Sequence, residues 1–302
     1  MNVFVAGGSG TIGIPLVRAL VAEGHQVTAL TRSTSRQDDL NKLGGASVAV
    51  ADALNRDSLI AAVVSARPTH VIHQLTALPK GGARRASDLQ ATNRLRINGT
   101  RNLLEAAIKA GARRFLVGSF GLLSDPSVVA PSADEAAAAV QSMETQVLEA
   151  SKRGSIEGVI LRYGLFYGLE TPSTMAMIDL IRKRRLPVVR GDAGQLPLIH
   201  IEDAVSATVR ALDAATAGST YDIVDNHAVS FAEMVERIAR YTGSAAPLRV
   251  PAWLPRLVTP YMARMTSIRV SLSNAKAKAE LGWRLKYPTM DEGLTEMFRH
   301  AA

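Results

Sequence analysis

Gly7-Gly8-Ser9-Gly10-Thr11-Ile12-Gly13 is the stretch on which the reading of this 302-residue chain turns. Its spaced glycines Gly7, Gly10 and Gly13 follow the apolar run Val3–Ala6 and open an amphipathic stretch, Ile12–Glu23, with Ile12, Leu16, Leu20 and Val21 on one face. A strand, a glycine turn and a helix in that order make a phosphate cradle. Glycine lets the backbone turn tightly, and the N–H groups can then approach a pyrophosphate at the positive end of the helix. Ser9, Thr11 and Ile12 complete the predicted contact surface.

Outward from this loop, β-branched runs alternate with helical patterns. Val3–Ala6, Gln26–Thr31, Ser47–Ala51, His70–Gln74, Arg114–Gly118 and Gly158–Arg162 read as strands, and Thr92–Ala110 and Ser132–Lys152 as long helices. Strands separated by such helices give a parallel sheet through right-handed crossovers. The expected fold is α/β, a doubly wound parallel sheet of the Rossmann kind over residues 1–165, with 188–225 returning to it. Prolines such as Pro172, Pro187, Pro251 and Pro288 break the later half. There, 166–187 and 226–302 read as a smaller C-terminal substrate-binding region. Its apolar stretch Val250–Leu257, followed by Tyr261, Met262 and Met265, suits a pocket wall or lid, or plain core.

The end of the second strand speaks to which dinucleotide binds. An NAD site usually places an acidic residue here for the ribose hydroxyls. This chain has Thr31 and Arg32, with Arg36 nearby, and a guanidinium suits a 2′-phosphate. NADP is therefore expected ahead of NAD. Asp52, followed by Ala53, comes after the third strand and can meet the adenine or cap the next helix.

Composition narrows the function classes. Without cysteine, the chain has no disulfide, thiolate metal site or cysteine nucleophile. Its six histidines are dispersed, and no metal site is expected. The formal charge of +8 permits an anionic partner, but only 5% of residues are aromatic, a poor supply for stacking on bases. The densest basic run, Arg182–Arg185, reads as a solvated helix end. No nucleic-acid or membrane partner is expected, and with no signal peptide apparent before Val3 the expected compartment is cytoplasmic.

Further stretches carry a family resemblance: Asn98-Gly99-Thr100-Arg101-Asn102-Leu103-Leu104-Glu105-Ala106, Arg113–Ser119, Leu161-Arg162-Tyr163-Gly164, Tyr167-Gly168, Ile199-His200-Ile201-Glu202-Asp203-Ala204 and Leu281-Gly282-Trp283. With the glycine loop, the chain resembles the short-chain dehydrogenase/reductase superfamily in its extended or atypical branch, the NAD-dependent epimerase/dehydratase family. The resemblance implies a nicotinamide dinucleotide at the carboxyl ends of the strands. It places Gln74, Leu75 and Thr76 along the cofactor, Asn98 in support from its helix, and Tyr163 near the nicotinamide. It also implies a small-molecule substrate and a homodimer through the two long helices.

The chain departs from that family at the proton relay. Ordinary members use a Tyr-x-x-x-Lys pair with a Ser or Thr. Counted from Glu144, the pair falls at Ala136 and Val140, and the Ser/Thr near Ser119 or Phe120, where only Ser119 survives. Tyr163 is the preferred replacement acid, with Tyr167, His200, Asp134 and Glu135 behind it and Lys152 as a cation that could lower the phenol pKa. The expected activity is an atypical NAD(P)-dependent oxidoreductase acting on a carbonyl, alcohol or sugar-like substrate. A catalytically silent NADP-binding sensor and a nucleotide-sugar epimerase/dehydratase are the alternatives.

Overall fold

Val3, Phe4, Val5 and Ala6 are fully buried because their strand lies mid-sheet with helices on both faces. The computed structural model describes every residue except 34, 36, 42–43, 80–81, 84, 127, 131–133, 193, 259 and 300–302. Arg36 lies outside the described residues, as do the side chains of Met262 and Met265.

β1 (Asn2–Ala6) leads into α1 (Gly13–Ala22), β2 (Gln26–Thr31), α2 (Gln37–Asn41), β3 (Ala46–Val50), α3 (Arg56–Ala66) and β4 (His70–His73). α4 (Gln90–Arg94) and α5 (Thr100–Lys109) are joined without a break by a π turn at Leu95–Gly99. β5 (Arg114–Phe120), α6 (Glu135–Lys152), β6 (Glu157–Tyr163), β7 (Leu165–Tyr167), α7 (Pro172–Arg182), β8 (Val188–Val189), β9 (Leu198–His200), α8 (Ile201–Ala214) and β10 (Thr220–Ile223) follow. The chain closes with α9 (Phe231–Tyr241), β11 (Arg249–Val250), α10 (Trp253–Val258), α11 (Pro260–Thr266), α12 (Ala275–Leu281) and α13 (Met290–Phe298).

Seven strands form one sheet in the order β3-β2-β1-β4-β5-β6-β10, every pair parallel. This is a Rossmann order with its reversal between β1 and β4, where open α/β sheets bind ligands. Strand residues alternate between two cores. Val3, Val5, Ile72, Leu116, Val159 and Leu161 pack beneath α1 and α8. Phe4, Ala6, Val71, Phe115, Val117 and Ile160 pack beneath α3, α5 and α6. Within 188–225, β10 joins the main sheet, whereas β9 pairs with β7 and β8 with β11.

A third core joins α7, α9 and α13 to Leu122, Ala136 and Val140 beside the crevice. The Val250–Leu257 stretch departs from expectation: Trp253, Leu257 and Val258 are 60%, 74% and 71% exposed, so these α10 side chains are not core. Arg182–Arg185 is an exposed helix end, and Arg184 turns left-handed (φ 55°). No helix among the described residues is long and apolar enough to cross a membrane.

Candidate active site and cofactor crevice

The glycine loop is shaped by close backbone approach. Gly7 takes φ 91°, and a Cβ there would lie 2.6 Å from the Gln74 carbonyl oxygen. The Gly10 N–H donates to the Gly7 carbonyl at 2.9 Å. A Cβ on Gly13 would come within 2.0 Å of that same oxygen, and one on Gly8 within 2.8 Å of Ala29 Cβ. No side chain caps the first turn of α1; its Ile14 N–H is taken by the Gly10 carbonyl and Pro15 has none, which leaves the Gly13 N–H for an anion. These features fit a dinucleotide pyrophosphate: a tight cradle, an uncapped helix start, and a position at the β1/β4 switch point.

The neighbouring candidates sort by exposure. Ser9 and Gly10 are half-buried and Thr11 is exposed on the loop, while the Ile12 side chain is core, leaving it a backbone role. Arg32 is exposed at the end of β2, beyond buried Thr31. Asp52 is exposed and accepts from the Leu54 N–H at 2.9 Å. Asn55 caps α3, so Asp52 is not that cap. Ala53 is buried, and its carbonyl accepts from Asn102. Leu75 is half-buried and Thr76 exposed just past β4. Gln74 meets the loop through its main chain, while its side-chain Nε2 donates inward to the Tyr163 hydroxyl at 2.9 Å.

Two residues expected to be catalytic and one expected to support the site already have hydrogen-bond partners of their own. Tyr163 points to the α1/α8 face, 3% exposed. Its hydroxyl sits between Gln74 and Thr208 Oγ1, the latter at 2.7 Å, and burial pushes the phenol up to about 12. It is a packed group whose hydroxyl has two partners. Ser119 points to the other face and donates to Glu144 Oε1 at 2.6 Å. Glu144 is also held by Arg162, through Nε at 3.0 Å and Nη2 at 2.6 Å. The Ser119 hydroxyl therefore serves a buried brace between β5, α6 and β6. Asn98 lies on the exposed side of the π turn and accepts from Arg101 at 3.0 Å.

The reserve acids are likewise occupied. Tyr167 donates to Asp225 Oδ2 at 3.1 Å, and burial drives its pKa well up. The His200 ring packs on Tyr167 and Tyr287, with centroids at 5.1 and 4.1 Å. Its Nδ1 accepts the Glu202 N–H at the start of α8, and burial holds it at about 4. Asp134 caps α6 through Ala136 N–H and Ala137 N–H and pairs with Arg264 at 3.2 Å. Glu135 is exposed. Lys152 closes α6 and leads into the start of β6, the opposite end of the strand from Tyr163. Ala136 and Val140 are buried in an apolar cluster with Leu122, and Phe120 packs against it.

Sequence reasoning passed over Asn93 and Arg96. Both are buried on the α4–π segment, and Asn93 Oδ1 and Arg96 Nη1 have no hydrogen-bond partner among the described residues. Arg96 lies close enough to help hold His73 at about 4, after burial, and burial lowers its own pKa to about 10. A legible signal was available: a charged residue three positions from an Asn on an otherwise apolar helix face. Two surface clefts of about 460 and 420 Å³ share no lining residue with the glycine loop. In the first, Asp192 accepts from Ala232 N–H and Arg249 pairs with Glu236.

Residues 3–225 match the model of the NAD dependent epimerase/dehydratase family. A Streptomyces protein named 3-diazoavenalumate denitrifying reductase is 36% identical over 97% of this chain and 99% of its own. Among solved structures, Thermus thermophilus UDP-glucose 4-epimerase with NAD superposes with a TM-score of 0.77 at 24% identity, covering 100% of both chains. A Streptomyces venezuelae dTDP-glucose 4,6-dehydratase double mutant with NAD and DAU bound gives 0.80 at 19% identity, covering 99% of this chain and 96% of that one. At those identities the structural likeness speaks for the fold, and the sequence matches speak for the lineage. This chain belongs to the NAD-dependent epimerase/dehydratase family, the extended branch of the short-chain dehydrogenase/reductases, and is an oxidoreductase-type member of it.

Proposed function

We propose that this protein is an NADP-dependent reductase that delivers hydride to a substrate whose reduction requires no proton from the enzyme. The observation that carries the reading is the apolar patch of Phe120, Ala136 and Val140 where relatives would place a proton relay. Gly7, Gly10, Gly13 and the start of α1 would hold the pyrophosphate, Arg32 the 2′-phosphate, and Leu75 and Thr76 the nicotinamide side. A reduced nicotinamide, when bound there, supplies a hydride.

The acceptor then decides what the chain must provide. A carbonyl becomes an alkoxide and needs a nearby acid, which Tyr163, with its phenol pushed up to about 12, is ill-suited to supply. Epimerisation would first need a base to take a hydroxyl proton, and alanine and valine cannot. A diazonium group has neither need: R–N₂⁺ plus hydride gives R–H and N₂, two electrons delivered and no proton consumed. The similarity to a denitrifying reductase of a diazo compound supports this acceptor class over the carbonyl, alcohol or sugar-like classes. The chain's own contribution is to hold both reactants and exclude water with apolar side chains. Residues 166–187 and 226–302 would close over the substrate, and two α5–α6 faces would form a homodimer; a 32 kDa species alone on sedimentation would exclude the dimer.

The test is a titration with NADPH and NADH, then turnover with 4-carboxybenzenediazonium and a carbonyl panel against protein-free controls. The expected result is NADPH-selective binding, enzyme-dependent N₂ release, and deuterium from 4-deuterated NADPH in the arene. Carbonyl reduction with an inert diazonium would refute the acceptor class, and binding of neither dinucleotide would refute the whole reading.

A further inference from the structure

Arg96 is 7% exposed and makes no hydrogen bond or ion pair among the described residues, although its Nη1 is fully buried. A buried cation is normally paired, because desolvation disfavours it otherwise. The acid that acts on it electrostatically is already engaged: Asp134 spends Oδ1 on two α6 N–H groups and Oδ2 on Arg264. Three residues earlier on the same face, Asn93 Oδ1 is also buried and unpartnered, and residues three apart on a helix are neighbours. The helix forms a π turn at Leu95–Gly99, an irregularity that often marks a working site. Tyr261 and Asp134 lie close enough to act on the guanidinium electrostatically, and Asp134's own partner Arg264 is 46% exposed, so the cluster extends to the surface.

We propose that Arg96 is a specificity-determining residue that binds the carboxylate of an organic-acid substrate, with Asn93 Oδ1 accepting a hydrogen bond from a donor on the same molecule. The proposal rests on the reading of this crevice as a hydride-transfer site and names the substrate class for it. The ligand's anion supplies the partner that the fold withholds, and neutral analogues leave the guanidinium unpaired. Discrimination therefore comes from one buried charge rather than from pocket size.

The experiment compares benzoate, 4-hydroxybenzoate and 4-hydroxycinnamate with their methyl esters, by calorimetry on the NADPH-loaded protein. Wild type, Arg96→Met and Arg96→Lys are compared, with NADPH affinity measured separately for each. Wild type is expected to bind at least one acid roughly 10–100-fold more tightly than its ester. Arg96→Met should abolish that ratio while keeping NADPH affinity within about threefold, and Arg96→Lys should restore part of it. Arg96→Met should also melt no lower than wild type, since it removes an unpaired buried charge. Equal binding of acids and esters, no binding of any acid, or a ratio unchanged in Arg96→Met overturns the proposal. Loss of NADPH affinity in Arg96→Met, with acid binding intact, would assign the guanidinium to the cofactor and overturn it too. Failure of wild type to bind NADPH would instead count against the reductase reading.

Discussion

Replacing Gly13 by alanine sets local propensity against the geometry of the cradle. Alanine is the better helix former by about 1 kcal/mol, and Gly13 does not take a positive φ, so propensity alone says that α1 would gain. The added Cβ, however, would lie 2.0 Å from the Gly7 oxygen and 2.7 Å from the Gly8 carbonyl carbon, where real contacts stay above 3.0 Å. Relief requires the backbone to retreat by about 1 Å, because both obstructing atoms are main chain. Displacement of that size takes a cradle N–H out of reach of the phosphate, and losing one hydrogen bond to a charged group costs about 1.5–3 kcal/mol, roughly 10–100-fold in binding. Overpacking costs about 1–3 kcal/mol of fold stability, partly offset by the propensity gain. Gly24→Ala is the control: φ is +79° with nothing within 4 Å of its Cβ, so it should lose about 1 kcal/mol of stability and keep NADPH affinity. Fluorescence titration with NADPH and urea unfolding read the two quantities. Gly13→Ala binding NADPH within about threefold of wild type would refute the assignment of this loop as the pyrophosphate cradle.

Arg32→Glu should lower the NADPH-to-NADH affinity ratio by roughly 10–100-fold, measured by parallel titrations; an unchanged ratio would remove Arg32 from the 2′-phosphate. Tyr163→Phe should leave turnover within a few-fold while costing about 1–3 kcal/mol, since it strands the buried Gln74 donor; abolished turnover would restore Tyr163 as the acid. Ser119→Ala should cost about 1 kcal/mol through the lost bond to Glu144, with turnover unaffected in the same NADPH-oxidation assay. Burial lifts the Asp225 carboxyl from 3.8 to about 8, so between about pH 4 and 8 the folded state binds more protons than the unfolded one. Stability from this group is full below about pH 4 and falls as pH rises through about 8. Asp225→Asn should flatten that decline in urea midpoints taken across the window. His73 and His200, both lowered to about 4, act oppositely, their contribution being lost as pH falls from about 6.5.

The sheet was legible because its signals are local. β-branched runs placed six strands to within a residue or two at their ends, and the glycines marked the one turn where backbone meets backbone at Gln74. The partners of the candidate site side chains were not legible where phase mattered. Tyr163 shares the alternation of Val159 and Leu161, so parity along β6 already sends it beneath α8, whatever its position in a motif. Asn98 lies in the irregular part of a helix. A π turn holds an extra residue, and each residue advances the face by about 100°, so extrapolation at an α-helical pitch cannot tell which of Arg96 and Asn98 turns inward. Spacing also could not reveal that the Ser119 hydroxyl is committed to Glu144, since that bond joins residues 25 apart on different elements.

The strand order has a consequence for synthesis. β6 ends at Tyr163, while its outer neighbour β10 begins at Thr220, so 56 residues separate the edge from the strand that covers it. At about 5–20 residues per second, the backbone of Glu157–Tyr163 waits roughly 3–11 s with one row of N–H and C=O groups unpaired. It is an apolar edge of the kind that templates unwanted pairing. A nascent chain stalled between these two points would present that open edge to chaperones and to other copies of itself.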